Sequence, residues 1–338
     1  MTSTMQPLRI AEAGGDPKVP AGTPILTRQS LCRVLGLLWL VDGALQLQSF
    51  MFTKGFARDV IAPAATGQPF FVAGPVHWNA MQIGMHPALW NSVFAGIQLA
   101  LGLGFLLRRT ARAAIVCSLA WAGGVWYFGE GLGGLAGGHM TALLGAPGAA
   151  FLYIVLALAA WPHSAYFAPH TVSEKSERPP GWILRVWAAL WVGYAALNLL
   201  PANIAPSTIG SELNANSTMV PSWLGGFDRW LARDVHMAGA GATVLLVTVE
   251  LAVGLLVLGD GRLKITALWT GVALAALYWA AGQSFGQLFS GQATDPSTGP
   301  LLILLGLVGL GATQNLPRLK PDALYTSRNW EVGEGMAA

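Results

Sequence analysis

Apolar stretches long enough to cross a bilayer, about 20 residues each, begin near Leu31, Pro87, Ala113 and Thr141, and again near Ile183, Gly239, Ile265 and Pro300. This spacing predicts an all-α polytopic membrane protein with eight transmembrane helices. Two long connections, Thr53–His86 and Ala205–His236, interrupt the apolar runs. Residues 1–28 are polar and rich in Pro and Gly, with no apolar run, and read as a tail and not a cleaved signal peptide. The expected organisation is a tail (1–30), four helices (31–161), a linker (162–182), four helices (183–313) and a second tail (314–338).

Composition changes this picture only by closing alternatives. Hydrophobic residues make up 54% of the 338 and charged residues 10%, against roughly 25% charged in ordinary soluble domains. A soluble enzyme, a disordered chain and a nucleic-acid partner are thereby disfavoured. Cys32 and Cys117 lie far apart with no CxxC, which leaves no disulfide scaffold and no dithiol relay on this chain alone. The position of the basic residues says more than the net charge of +3. On the eight-span reading, 15 of the 19 Lys and Arg fall on one side: Arg9, Lys18, Arg28 and Arg33, then Arg108, Arg109 and Arg112, then Lys175, Arg178 and Arg185, then Arg262 and Lys264, then Arg318, Lys320 and Arg328. Lys54, Arg58, Arg229 and Arg233 fall on the other. The positive-inside rule then places both termini in the cytoplasm of a cell-membrane protein.

The two halves repeat. Shifted by 152, Arg33-Val34 meets Arg185-Val186, Leu38-Trp39 meets Leu190-Trp191, Ala44-Leu45 meets Ala196-Leu197, Trp78 meets Trp230, and Gly102-Leu103 meets Gly254-Leu255. Shifted by 153, Trp126, Gly129, Gly133, Leu135, Gly138, Thr141 and Pro147 meet Trp279, Gly282, Gly286, Leu288, Gly291, Thr294 and Pro300. Four helices per unit is an even number, so the units enter the membrane in the same direction, the parallel arrangement found in some transporters.

A unit that opens on Arg33-Val34-Leu35-Gly36-Leu37-Leu38-Trp39-Leu40-Val41-Asp42-Gly43 and carries Glu250-Leu251-Ala252-Val253-Gly254 before a tight basic turn resembles the DoxX/DoxD-type family of four-helix membrane proteins, here in tandem over about residues 31–161 and 183–313. Gln98 stands where the second half has Glu250 and departs from that pattern. The resemblance implies a non-catalytic component of an envelope redox or quinone-linked system, with a separate oxidoreductase chain or a quinone as partner. It names no reaction and no cofactor.

Ionisable groups inside a bilayer are costly and are candidates for function by default. Asp42 and Glu250 qualify. Asp42 lies nine residues past Arg33 and Glu250 ten before Asp260, about 14–15 Å from the cytoplasmic edge at 1.5 Å per residue. The repeat sets Asp42 opposite Tyr194 and Glu250 opposite Gln98, and the expected pairs are Asp42–Gln98 and Tyr194–Glu250. Each extends into a stripe at helical spacing: Asp42, Gln46 and Ser49; Tyr194 and Asn198; Asn91 and Gln98; Thr243 and Glu250. Three readings stay open for these groups: polar glue between helices, a proton-carrying or polar-ligand pocket in each repeat, or exposure to lipid.

Glu130 and Gln283 are equivalent within Gly-rich segments. Gly129-Glu130-Gly131-Leu132-Gly133-Gly134 lacks the Lys-Ser/Thr of a phosphate loop. Rise along a straight helix puts Glu130 roughly 27 Å from Arg112, at the outer rim and out of reach of the midplane acids unless the segment turns back. His77, Met81 and Met85 share a helical face with His86 beside them, and His139-Met140 and His236-Met237 follow. Imidazole with thioether suits copper, and paired His suit haem. The repeat keeps only Met85/Met237, with no HExxH or CxxCH, so no metal site is assigned. His163 and His170 read as surface residues near the linker.

Three function classes follow. One is the redox-associated component that the resemblance implies. Another is a small-molecule or proton-coupled transporter with a midplane polar site in each repeat. The third is a scaffold docking a partner through its outer loops, where Trp78, Trp223 and Trp230 also suit interfacial anchoring. No nucleophile–base constellation is present, which leaves an autonomous enzyme with the least support.

Overall fold

The computed structural model describes residues 26–161 and 178–313, except 206, 218 and 219. Most of the two expected tails and of the linker, with His163 and His170, lies outside the described residues. The fold is all-α, with no strand among the described residues. Its α-helices are α1 (Arg28–Leu45), α2 (Phe70–Met85), α3 (Pro87–Leu106), α4 (Ala111–Gly124), α5 (Ala149–Ala159), α6 (Ile183–Asn198), α7 (Thr208–Asn216), α8 (Ser222–Ala238), α9 (Ala240–Leu256), α10 (Gly261–Leu277) and α11 (Thr298–Thr313).

Local chemistry sets several of these limits. Thr27 and Ser30 open α1 as a reciprocal capping box, each side chain accepting the other's backbone N–H. Pro87 occupies the first turn of α3, where its missing N–H costs nothing. The chain breaks by 102° between α8 and α9, at Gly239, whose φ of 52° a side chain would strain.

By length and composition, three helices can cross a membrane: α3, α4 continued to Gly129, and α10 continued to Gly282; the bent α8–α9 pair makes a fourth if it is one span. The eight apolar runs each contain a helix, but α5, α6 and α11 are shorter than that criterion. α5 has 11 residues and rises only about 16 Å. The chain from Thr141 to Gly148, expected to be helical, is instead a set of turns ending at Pro147 and Gly148. The long connections are themselves structured. α2 and the turns at 56–65 form a satellite apolar cluster around Met51, Phe56, Val72, Val76 and Ile83, and α7 packs on α8.

α1 packs on α3 and α6 on α9, and both crossings are built on small residues. A Cβ on Gly102 would stand 2.6 Å from Leu40 Cγ and 2.8 Å from the Gly36 carbonyl oxygen. A Cβ on Gly254 would stand 2.9 Å from Val192 Cγ2 and 3.0 Å from the Ala188 carbonyl oxygen. These are the same positions at an offset of 152, and close backbone approach is what small residues allow at helix crossings. The main core runs through both halves, with Trp187, Trp191, Tyr194, Tyr278 and Leu152 fully buried, and α5 meets α11 between them.

The rarer local geometry also recurs. A π-helical turn at Val125–Gly129 is matched at Tyr278–Gly282, and each is followed by left-handed backbone, Gly131 to Gly134 in one half and Ser284 to Gln287 in the other. Trp126 Nε1 donates to the Pro147 carbonyl at 2.7 Å, and Trp279 Nε1 to the Pro296 carbonyl at 2.8 Å. Pro296, not the expected Pro300, therefore takes the place of Pro147. The second connection is four residues shorter than gap-free matching assumed.

Candidate functional site

A partly open cavity of about 500 Å³ lies between α1, α3, α4 and α5 of the first half, beside α2 and the turns at 56–65, with Thr294 and Asp295 of the second half in its lining. Asp42 and Gln46, one turn apart on α1, project into it, with Gln98 opposite on α3. All three are buried, Asp42 to 1% exposure. Trp39, Phe56, Trp90, Phe94, Trp121 and Tyr153 supply an aromatic wall. Trp39 stacks on Tyr153 with centroids 4.4 Å apart, and Phe94 meets Trp121 at 5.5 Å. No Lys, Arg or His lines this space.

Asp42 takes its hydrogen bond from the Tyr153 hydroxyl at 2.6 Å, not from Gln98 as the repeat suggested. The other carboxylate oxygen, Oδ1, is buried without a partner, and so are Oε1 of Gln46 and Oε1 of Gln98. Asn91 does not line the cavity; it braces the frame by donating to the Gln46 carbonyl at 2.6 Å. Ser49 leaves the stripe because α1 ends at Leu45, and it is exposed.

Glu130 corrects the outer-rim reading. It lines the same cavity as Asp42, because the π-helical turn and the left-handed run turn the chain back onto the protein. Its carboxylate accepts the Ala150 N–H at 3.0 and 3.3 Å, sitting at the N-terminus of α5 where an anion is favoured. Gly148 makes the approach possible: its φ is 99°, and a Cβ there would fall on the Glu130 carboxylate. Gln283 plays the matching part at α11, where its Oε1 accepts the Gly299 N–H at 3.0 Å and the Ser297 hydroxyl at 2.9 Å.

A third acid comes from the other half. Asp295 reaches the cavity from the loop before α11. That loop is held to the first half by Gln48, whose Nε2 donates to the Ala293 carbonyl at 3.0 Å. The Ser297 N–H and the Thr294 hydroxyl bond the Asp295 carboxylate. Glu130 and Asp295 both sit in connections between helices. Burial pushes Glu130 up to about 8, with Asp295 adding to the rise, and burial also raises Asp295 above the usual carboxylate range.

A stability prediction follows for Glu130. Its folded-state pKa lies above the unfolded value, so the folded state holds the extra proton between about 4.5 and 8 and loses stability as pH rises through that window. The slope is at most about 1.4 kcal/mol per pH unit. Glu130→Gln keeps the acceptor for α5, as Gln283 does for α11, and is expected to flatten the melting temperature of the purified protein between pH 5 and 8. An unchanged slope would rule out a proton on Glu130.

The second half arranges the same chemistry with both oxygens of its carboxylate bonded. Glu250 on α9 accepts from Asn198 Nδ2 at 2.8 Å and from the Tyr278 hydroxyl at 2.6 Å, one bond to each oxygen. Tyr194, expected as its partner, is buried at 2% exposure with its hydroxyl unbonded. Thr243 is likewise buried with its hydroxyl unbonded. Tyr153, Tyr278 and Asp295 are site residues that the sequence did not single out.

The His and Met residues do not converge. Met81, Met85 and Met237 are more than half exposed, and among the described residues no three His, Cys, Asp or Glu could hold a metal ion. His139 packs against Gly67 and Gly137. Trp78 and Phe128, both partly exposed with rings 6.3 Å apart, stand at the edge of the cavity. Trp223 and Trp230 lie exposed on α8.

No family model, curated protein or solved structure matches this chain, so the site is read from its own geometry.

Proposed function

We propose that this chain is a multi-pass membrane protein of eight spans with both termini cytoplasmic, made of two tandem four-helix repeats. Its first repeat binds a small polar or charged solute inside the membrane, as a permease does. The observation that carries this reading is the partly open cavity lined by Asp42, Gln46 and Gln98, each of which has a buried side-chain oxygen without a hydrogen-bond partner. Buried polar groups in folded proteins are nearly always bonded, and a solute that enters this space completes them. The eight-span reading is supported by the way α5 and α11 are extended outward by irregular chain. Such backbone is tolerated at membrane depth only where protein buries it, and Gly131, Gly133, Thr141, Ala142 and Ala146 are all buried. The second repeat, with Glu250 fully bonded, serves as the structural partner.

The resemblance to DoxX/DoxD-type proteins favours a second reading, a non-catalytic component beside an envelope oxidoreductase or quinone. Recovery of an oxidoreductase chain or a quinone with the protein purified from membranes supports it.

Two measurements test the main reading. Reporters active only in the cytoplasm, fused at either terminus, are expected to give signal at both; signal at one alone contradicts the even span count. In a thermal-shift screen of the purified protein, a solute at 100 times its Kd adds about 2.7 kcal/mol. Ala120→Trp, at an exposed position of the lining where the cavity opens, is expected to block entry and cancel that gain. A screen in which no solute distinguishes wild type from Ala120→Trp contradicts the binding role.

A further inference from the structure

We propose that the solute of the first-half cavity is a small protonated amine, bound with its ammonium group against Asp42 and its organic part among the aromatic side chains. The proposal rests on the solute-binding reading above and names the chemical class of the solute.

Charge comes first. Asp42, Glu130 and Asp295 line one space, contributed by α1, by the segment before α5 and by the loop before α11, with no basic residue in the lining among the described residues. Glu130 and Asp295 are held by backbone N–H groups, whereas Asp42 has only the Tyr153 hydroxyl. Buried charge is costly unless paired, so Asp42 is the position where a cation is accommodated. That cation is not a metal ion, because these carboxylates do not come together closely enough to chelate one.

Hydrogen bonding narrows the class. The Asp42 Oδ1, Gln46 Oε1 and Gln98 Oε1 atoms are buried acceptors without donors, on residues at most 7% exposed. The one donor already at Asp42, the Tyr153 hydroxyl, is committed to Oδ2. A primary ammonium brings three N–H donors to a cluster of acceptors. A quaternary ammonium brings none, and an alcohol brings one donor without the charge.

The walls fit the rest of such a molecule. Trp39 and Tyr153 form a stacked pair directly beside the Asp42 carboxylate, and Trp90, Phe94 and Trp121 form a second run of tilted rings across the cavity. A cation near the face of an aromatic ring is attracted by its quadrupole. The volume of about 500 Å³ falls within the usual range of small-molecule sites.

The test is equilibrium binding to the full-length protein in nanodiscs, using one carbon skeleton with four head groups. The probes are 2-phenylethylammonium, its trimethylated quaternary form, 2-phenylethanol and phenylacetate. The expected result is saturable binding of the primary ammonium, at least tenfold tighter than each of the other three. Asp42→Asn is expected to lower that affinity at least tenfold, since the amide still accepts from Tyr153 but carries no charge. If Asp42→Asn does not yield folded protein, Gln98→Leu, which removes one of the three acceptors, takes its place, with an expected loss of threefold or more. Equal or tighter binding of the alcohol or the carboxylate, abolished by Ala120→Trp, overturns the amine proposal and leaves the solute-binding reading standing. Equal or tighter binding of the quaternary probe overturns the requirement for N–H donors. Binding of no probe, or binding that Ala120→Trp leaves unchanged, overturns both the amine and the cavity as its site.

Discussion

Glu250→Ala is expected to destabilise the protein by about 2–6 kcal/mol, because it strands two buried donors at about 1–3 kcal/mol each. The two are the Asn198 amide and the Tyr278 hydroxyl, each bonded to its own carboxylate oxygen. The space around Tyr278 is filled by Trp191 and the main core. Glu250→Gln retains one acceptor and is expected to cost less than half as much. Asp42→Ala strands one donor, the Tyr153 hydroxyl, and is expected to cost less than Glu250→Ala. Denaturation of the three variants in one detergent checks the order. A larger loss at Asp42 than at Glu250 would mean that the first half is the more tightly locked.

The second large effect has opposite signs on one helix. Gly102→Ala places a methyl within 2.6 Å of Leu40 and 2.8 Å of a backbone oxygen of α1, and overpacking of this kind costs about 1–3 kcal/mol. Backbone oxygen cannot rotate aside as a side-chain end can, so the helices must separate. Gly96, two turns earlier on α3, has open space where its Cβ would go. Gly96→Ala is expected to stabilise by up to about 1 kcal/mol through helix propensity. Melting temperatures that move the same way in both variants would contradict the close crossing of α1 and α3.

Much of the site was legible because charge is scarce. With 16 acids in 338 residues, an Asp or Glu inside an apolar run stands out, and both Asp42 and Glu250 are buried with tyrosine hydroxyls on them. Gln46, Gln98 and Asn198 followed from helical spacing and lie where that spacing put them. Tyr153 and Tyr278 escaped notice because a tyrosine in an apolar helix reads as core until its hydroxyl's partner is known. Tyr153 is 111 residues from Asp42, and the duplication gives it no counterpart. Glu130 was misplaced because rise per residue assumes a straight helix, whereas a π-helical turn and a run of positive φ angles fold it inward. Two glycines per turn of that segment were a visible signal of such a fold-back, though not of its direction. Asp295 had no signal at all: it sits in a loop of the other half, tied to the first by the Gln48–Ala293 and Gln283–Ala142 hydrogen bonds. The run from Thr141 was overread as one continuous helix because apolar composition continues through turns as readily as through helix.

The two halves thus use one chemistry at non-equivalent positions: a carboxylate held by a tyrosine hydroxyl in each, with an unbonded carboxylate oxygen beside a cavity in the first half and both carboxylate oxygens bonded in the second. Measuring stability and solute binding together in Asp42→Asn and Glu250→Gln tests this difference most directly, using the four phenylethyl probes on wild type and both variants. The expected result is crossed: Asp42→Asn keeps the melting temperature within a few degrees and loses binding, while Glu250→Gln lowers the melting temperature and keeps the binding of the protein that remains folded. Parallel losses in both variants, or binding untouched by Asp42→Asn, would contradict it.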